Sequence, residues 1–407
     1  MSSSPLDNSL VEEATGWRRH LHAHPETAFD EHRTADFVAA KLEEFGIEVH
    51  RGLGGTGVVG MLKRGTSPVA VGLRADMDAL FIHEENAVDY RSSVDGKMHA
   101  CGHDGHMAML LGAAKHLSRN GNFDGTVHFI FQPAEETGDE RCGGNFMVRD
   151  GLFEKFPVQA VFGLHNLPSA PLGSFSMRPG PMLASIDTFE FRIGSALAHP
   201  ATQYGVADPL LIAAGIVQDM HTFKARYVNP AEPVVLSITQ FQSGNPADRQ
   251  SVHVTPDKAI VRGTVYTLND AVRDQFEAGV ERLVRNAAEA GGAGHEFFFE
   301  RGYPVLRNTA DETEFAASVA QEVSSAVNAA MQPVMGAEDF AFMLGAAPGC
   351  YVFLGSRHEG EAAPRQLHNP RYDFNDAVLP VGIRYWATLA ERYLSEAGVF
   401  GRNANVG

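Results

Sequence analysis

Cysteine is scarce in this 407-residue chain. There are three, Cys101, Cys142 and Cys350, an odd number at wide spacing. That speaks against a disulfide framework and for a reducing compartment, the cytoplasm. No apolar run approaches the roughly 20 residues of a membrane span. Met1-Ser2-Ser3-Ser4-Pro5-Leu6-Asp7 has neither a basic n-region nor an apolar h-region, so no signal peptide is expected. Positive charge is in deficit: 33 Lys and Arg against 50 Asp and Glu give a formal net charge of −17. Such a balance opposes nucleic-acid phosphates and anionic membrane surfaces. A Gly-x-Ser-x-Gly elbow is missing, which sets aside a serine nucleophile. Internal repeats and low-complexity linkers are missing too. What remains is an ordinary globular composition, 44% hydrophobic and 20% charged, in a chain long enough for two or three domains. A small-molecule enzyme fits these bounds.

Chemistry concentrates in Met98-His99-Ala100-Cys101-Gly102-His103-Asp104-Gly105-His106. Cys101 and His103 sit two apart, and Gly102 between them lets a turn aim both side chains at one point. The apolar stretch Met107 to Ala114 that follows reads as the start of a buried helix. A ligand pair at a loop-to-helix junction is rigidly supported, as a metal site requires. Two apolar strands end in further candidates. Thr126–Phe131 runs into Gln132-Pro133-Ala134-Glu135-Glu136, and Val158–Leu164 into His165. Adjacent carboxylates cannot point the same way, so one of Glu135 and Glu136 can bind a metal while the other handles a proton. A third strand, Pro68–Leu73, ends in Arg74-Ala75-Asp76-Met77-Asp78. Polar residues at the carboxyl end of a buried strand are where α/β proteins place their sites. His20, His22 and His24 alternate, but helical residues two apart do not share a face, so they are read as structural.

The remaining chain sorts by periodicity. Val11 to Gly46 reads as two helices broken at His24-Pro25-Glu26. Gly52-Leu53-Gly54-Gly55-Thr56-Gly57 matches a dinucleotide-loop pattern, but a strand follows where a helix is needed, so a glycine-rich hairpin is expected. After about residue 184 the texture becomes a strand at Thr188–Ile193, a helix from Asp208 to about Thr222, strands near Val234–Phe241 and Val252–Leu268, a helix from about Asp270 to Ala290, and a strand at His295–Glu300. This βαββαβ order predicts a ferredoxin-like α+β unit, residues 185–302. It is inserted in an α/β domain, residues 1–184 and 303–407, with a mixed sheet flanked by helices and a last helix beginning near Pro380.

Taken together, His24-Pro25-Glu26, Arg74 to Leu80, Met98 to His106, Phe131 to Glu136, Gly163-Leu164-His165, Gly336-Ala337-Glu338-Asp339-Phe340 and Leu367-His368-Asn369-Pro370 resemble the M20 metallopeptidase/amidohydrolase family. The likeness is to its aminoacylase and hippurate-hydrolase-like branch and spans nearly the whole chain. It implies two divalent ions per subunit, manganese or zinc or else cobalt, held by Cys101, His103, Glu136, His165 and His368. Cys101 would be the bridge and Glu135 the general base. It also implies hydrolysis of a C–N bond in a small-molecule substrate, and a homodimer or larger homo-oligomer whose inserted unit serves as lid and dimerisation surface.

The inserted unit departs from the family. A Gly-Gly-His-Ala-Ala motif is replaced by Gly194-Ser195-Ala196-Leu197-Ala198-His199-Pro200, with His199 aligned to the motif's histidine. His253-Val254-Thr255-Pro256 stands for Asn-Val-Ile-Pro, and Tyr266 stands for an arginine; Arg226 keeps a basic position. In relatives the Asn and Arg help to hold a substrate carboxylate. The substitutions leave the expected substrate as the amide of an N-acyl or N-aroyl amino acid, with an aromatic group favoured, read by His199, Arg226, His253 and Tyr266. The alternatives are hydrolytic deamination of an aromatic amine and a non-catalytic metal-binding relative; retention of Glu135 argues against the last.

Overall fold

A computed structural model describes residues 6–245, 247, 252–360, 363 and 365–400, with no side-chain description beyond residue 395. Of the segment read for a signal peptide, Met1 to Pro5 lie outside the described residues. An eight-stranded mixed sheet forms the larger unit. Its centre holds Ala70–Asp76, Gly125–Gln132, Ala160–Leu167 and Gly349–Gly355, paired in parallel. The glycine-rich hairpin is present, as Glu48–Leu53 antiparallel to Gly57–Arg64 at one edge.

Alternation sorts the central strands between two cores. Val127, Phe129, Phe131, Phe162, Leu164, Val352 and Leu354 face the helices Asn8–Ala23, His32–Glu44, His103–Asn120, Ala310–Val323 and Leu379–Phe400. Ile130, Val161, Tyr351 and Phe353 face the short helices Gly143–Arg149, Leu152–Lys155 and Phe340–Ala346. With both faces covered, polar side chains can gather only at the strand ends. The carboxyl ends of three parallel strands open there together, at Asp76, Gln132 and Leu167.

Between Ser185 and Arg301 the chain builds the expected βαββαβ unit. Its four-stranded sheet is antiparallel throughout and runs Gly294–Arg301, Ser185–Gly194, Lys258–Thr267, Val234–Ser243 from edge to edge. Phe189, Phe191 and Ile193 point to one face, where Ile216, Met220 and Phe223 of one helix and Phe276, Val280 and Val284 of the other cover them. The opposite face carries Ile186 directly across from Tyr266.

Several expected boundaries shift. The strand expected to end at Leu164 continues to Leu167, because its parallel partner still pairs with it there, Phe353 against His165 and Gly355 against Leu167. The strand expected from Val252 begins at Lys258, where its neighbours Gly194 and Ser243 begin to offer partners; Val252 and His253 lie in a turn. The helix capped by Asp208 runs to Tyr227, which puts Arg226 in its last turn.

Candidate metal and catalytic site

Gly102 makes the turn that the sequence anticipates. It is left-handed at φ 97°, and a Cβ on it would come within 2.4 Å of Asn166 Oδ1. The helix then starts at His103, one turn earlier than expected, and His103 is fully buried. Its Nδ1 donates to Asp78 O at 2.9 Å. That fixes the tautomer and leaves Nε2 without a partner, 3.8 Å from Glu136 Oε1. His165 is arranged the same way: Nδ1 donates to Asn166 O at 2.8 Å, and Nε2 faces Cys101 Sγ at 3.3 Å. Burial and neighbouring His106 keep His165 well below the ordinary histidine pKa, hence neutral and able to ligate.

Glu136 closes the group. Its N–H donates to Asp78 Oδ2 at 2.9 Å, and its Oε1, buried without a hydrogen-bond partner, lies 3.2 Å from His368 Nε2. His368 sits in a left-handed conformation at φ 58°, held by its N–H to Ala100 O at 2.9 Å. Donor atoms of Cys101, Glu136 and His368 lie within 4.8 Å of one another, as do those of His103, Glu135 and Glu136. The structure thus brings all five expected ligands together around the expected base.

The donor set suits divalent cations. His103 Nε2 and Glu136 Oε1 are buried and unsatisfied, a costly state that a shared cation relieves. Burial, then Glu136 and Glu135, push the Cys101 thiol well above 9, so cation entry must displace its proton. Burial opposes a charge on His103, but Asp76, Asp78 and Glu136 lift it to about 10; its proton too must leave. His106 is also in the cluster, yet both its nitrogens are engaged, with Asp76 Oδ1 at 2.6 Å and Asn166 Oδ1 at 2.7 Å. It braces the site and is not free to ligate.

Glu135 is buried beside Glu338 and Asp339. Burial, then Glu338, Glu136, Asp339 and Asp78, push its carboxyl well above the usual range. Arg74, fully buried, compensates: it donates to Asp76 Oδ2 at 2.7 Å, Glu338 Oε1 at 2.9 Å and Asp339 Oδ1 at 3.1 Å. Asp76, Asp78, Glu338 and Asp339 appear in the sequence only as parts of motifs, and nothing there assigns them this role. Glu31 gives no signal at all. It accepts Ala134 N–H at 2.9 Å and Thr56 Oγ1–H at 2.6 Å, supporting Ala134 at φ 49° just before Glu135.

Cys101, Glu135, Glu136, His165 and His368 open on a cavity of about 550 Å³. Leu167, Leu183, Met331, Val334 and Phe353 supply an apolar wall, and Tyr266 and Ile186 reach in from the four-stranded sheet. Neither lysine nor arginine is among the described lining residues. His199, Arg226 and His253 are exposed and do not line this cavity. Of the early histidines, His20 is exposed and His22 is buried away from the cluster.

Residues 72–392 match the family model described as Peptidase family M20/M25/M40. The chain is 36% identical over 379 residues to the hippurate hydrolase of Campylobacter jejuni, covering 93% of this chain and 95% of that one. It is 40% identical over 304 residues to the N-acyl-L-amino acid amidohydrolase of Geobacillus stearothermophilus, covering 74% and 80%. Among solved structures, the YXEP protein of Bacillus subtilis, described as a dinuclear metal binding peptidase from the M20 family, superposes with a TM-score of 0.81 at 31% identity. That match covers 96% of this chain and 99% of the other.

The buried network under the site gives a test by pH. His22 lies between Asp104 Oδ2 at 2.8 Å and Glu84 Oε1 at 3.2 Å. Burial disfavours its charge, but the two carboxylates win and raise its pKa to about 9. The folded protein therefore keeps this proton after the unfolded chain has lost it. The stabilisation is complete below pH about 6.5 and disappears as pH rises through about 9. At 1.36 kcal/mol per unit the loss is roughly 3 kcal/mol. Unfolding free energies from denaturant titrations at pH 6.5 to 9 should fall by that much more in the wild type than in His22→Gln. Parallel slopes for the two proteins would contradict the charged assignment.

Proposed function

The chain belongs to peptidase family M20/M25/M40 and is a hydrolase, and on that premise we propose that it cleaves the amide of a small N-acyl, preferentially N-aroyl, amino acid with two divalent cations per subunit. The observation that carries this reading is the cavity itself. Four of the five expected ligands, Cys101, Glu136, His165 and His368, share it with Glu135, an apolar wall and the Tyr266 ring. Its volume is in the range of small-molecule sites.

Cys101, His103, Glu136, His165 and His368 would hold the cations. When bound, such a pair polarises the amide carbonyl and lowers the pKa of water from 15.7 towards about 7. The protein's own part is proton handling and orientation. Glu135 takes a proton from the attacking water and returns it to the leaving nitrogen. Its raised proton affinity suits that exchange near neutral pH, and cations beside it act in the opposite direction to its neighbouring carboxylates. Asp78 and His106 hold the ligands in place, and the apolar wall excludes competing water. A reducing compartment, the cytoplasm, suits a site that needs Cys101 as a thiol, and all three cysteines are free.

Tyr266 decides the substrate preference. An arginine there would offer a permanent cation with a fork that fits a carboxylate. The tyrosine offers a ring for stacking and one hydroxyl. A substrate carboxylate is then met by Arg226 or His199, and the exposure of both, with His253, suits delivery from a neighbouring subunit. Leu197, Tyr204 and Leu211, 63%, 88% and 71% exposed in the same unit, are consistent with a homodimer.

Two measurements test this reading. In a panel of hippurate, aliphatic N-acyl amino acids and aminobenzoates, with manganese and zinc in parallel, kcat/KM should favour the aroyl amide. Tyr266→Arg should shift the aroyl-to-aliphatic ratio by roughly 2–10-fold towards aliphatic substrates, the equivalent of the lost ring contact. Ammonia release from aminobenzoates, without amide cleavage, would replace this reading with deamination. Glu135→Gln should keep its metal while kcat falls roughly 10²–10⁴-fold; metal loss on that change would mean that Glu135 and Glu136 have exchanged roles.

A further inference from the structure

The chain passes between the larger unit and the four-stranded unit twice, after Leu183 and again between Arg301 and Leu306, and Leu183 and Leu306 pair in a short two-stranded sheet. The two passages are bonded to each other: Ile186 N–H donates to Tyr303 O at 3.1 Å, and Gly302 N–H to Ile186 O at 3.0 Å. Asp187 locks the same corner. It accepts Arg273 Nε–H at 2.9 Å and Gly302 N–H at 3.2 Å, and Arg273 Nη2 donates to Gly302 O at 3.3 Å. The paired passages are therefore tied to the helix Asp270–Gly291 of the four-stranded unit.

From this corner Tyr303 turns to the other unit. Its side chain is buried, and its hydroxyl donates to the backbone oxygen of Glu135 and accepts Gly138 N–H at 2.7 Å. One phenol thus satisfies both ends of the short turn that carries the Glu135–Glu136 pair. The backbones also touch. A Cβ on Gly302 would lie 2.6 Å from Ile186 O and 2.8 Å from Gly138 O. The turn needs outside support, because Ala134 before it is held at φ 49° and Gly138 after it at φ 74°. Glu31 supports the first corner and Asp78 the middle; among the described hydrogen bonds, those of Tyr303 tie the turn to the paired passages.

We propose that Tyr303 is a positioning residue that ties the paired passages of the four-stranded unit to the placement of Glu135. The phenol fixes both ends of the turn against those passages, so the base reaches its working position only while the corner and the turn stay joined. The inference rests on the reading of Glu135 as the general base.

The test uses the full-length, metal-loaded enzyme. Tyr303→Phe removes only the hydroxyl. Its metal content should equal that of the wild type, KM on the aroyl amide should stay within about threefold, and kcat should fall roughly 10–100-fold, as expected when a catalytic group is misplaced. In the Glu135→Gln background the same change should add less than about twofold, because both act through one group. Hydrogen exchange at the Gly138 amide should accelerate while the strand Gly125–Gln132 keeps its protection. Gly302→Ala keeps the phenol but wedges the backbones apart, and should reproduce the loss in kcat. An unchanged kcat in Tyr303→Phe, or a full multiplicative loss on the Glu135→Gln background, overturns the coupling. A wild type inactive on every amide would overturn the functional reading instead; unchanged exchange at Gly138 would then overturn the coupling on its own.

Discussion

Buried negative charge is the constraint around which the site is built. Asp76, Asp78, Glu135, Glu338 and Asp339 are all buried, and Glu136 lies beside them at the cavity. Taking carboxylates out of water costs several kcal/mol each unless they are paired or protonated. One guanidinium, Arg74, answers three of them and has no exposed surface. Histidines answer others: His106 meets Asp76, and His103 lies against Asp78 and Glu136. The remaining excess falls at Glu135 and Glu136, where a divalent pair would neutralise it and displace the Cys101 proton. Cation binding and fold stability are therefore linked through the same side chains, and chemistry is placed where neutralisation by the protein alone stops.

This view also explains the layered support. Both faces of the large sheet are covered, so polar groups collect at the carboxyl ends of its parallel strands, as the topology of open α/β sheets favours. There the ligands are oriented by groups behind them. Asp78 serves His103 and Glu136, Asn166 serves His165 and His106, and Glu31 fixes the turn before Glu135. The His103 and His165 rings are thereby each restricted to one direction, which metal affinity depends on.

Much of this is legible in the sequence, and the division between legible and hidden has a physical origin. Cys101, His103, the Glu135–Glu136 pair and His165 stand at strand ends or a loop-to-helix junction, where local periodicity reveals both the element and its end. The βαββαβ order is legible for the same reason. His368 is not. It is a lone histidine in Leu367-His368-Asn369-Pro370, identified through family resemblance, and its direction comes from a left-handed backbone bonded to Ala100. Arg74 pairs with Glu338 across 264 residues and Tyr303 with Glu135 across 168; no local pattern encodes such partners. The shifted strand ends at Leu167 and Lys258 follow from what neighbouring strands offer, which a single strand's pattern cannot contain. Of the four residues read as facing the substrate, Tyr266 lines the cavity through its register opposite Ile186, while His199, Arg226 and His253 are exposed outside it.

The account stands on five side chains from distant parts of the chain holding a cation pair. Elemental analysis after loading with manganese or zinc tests that most directly, on the wild type and on His103→Ala, His165→Ala and His368→Ala. The account requires two equivalents per chain in the wild type and a large loss in each variant, with the fold intact by circular dichroism. Two equivalents retained in all three variants would contradict it.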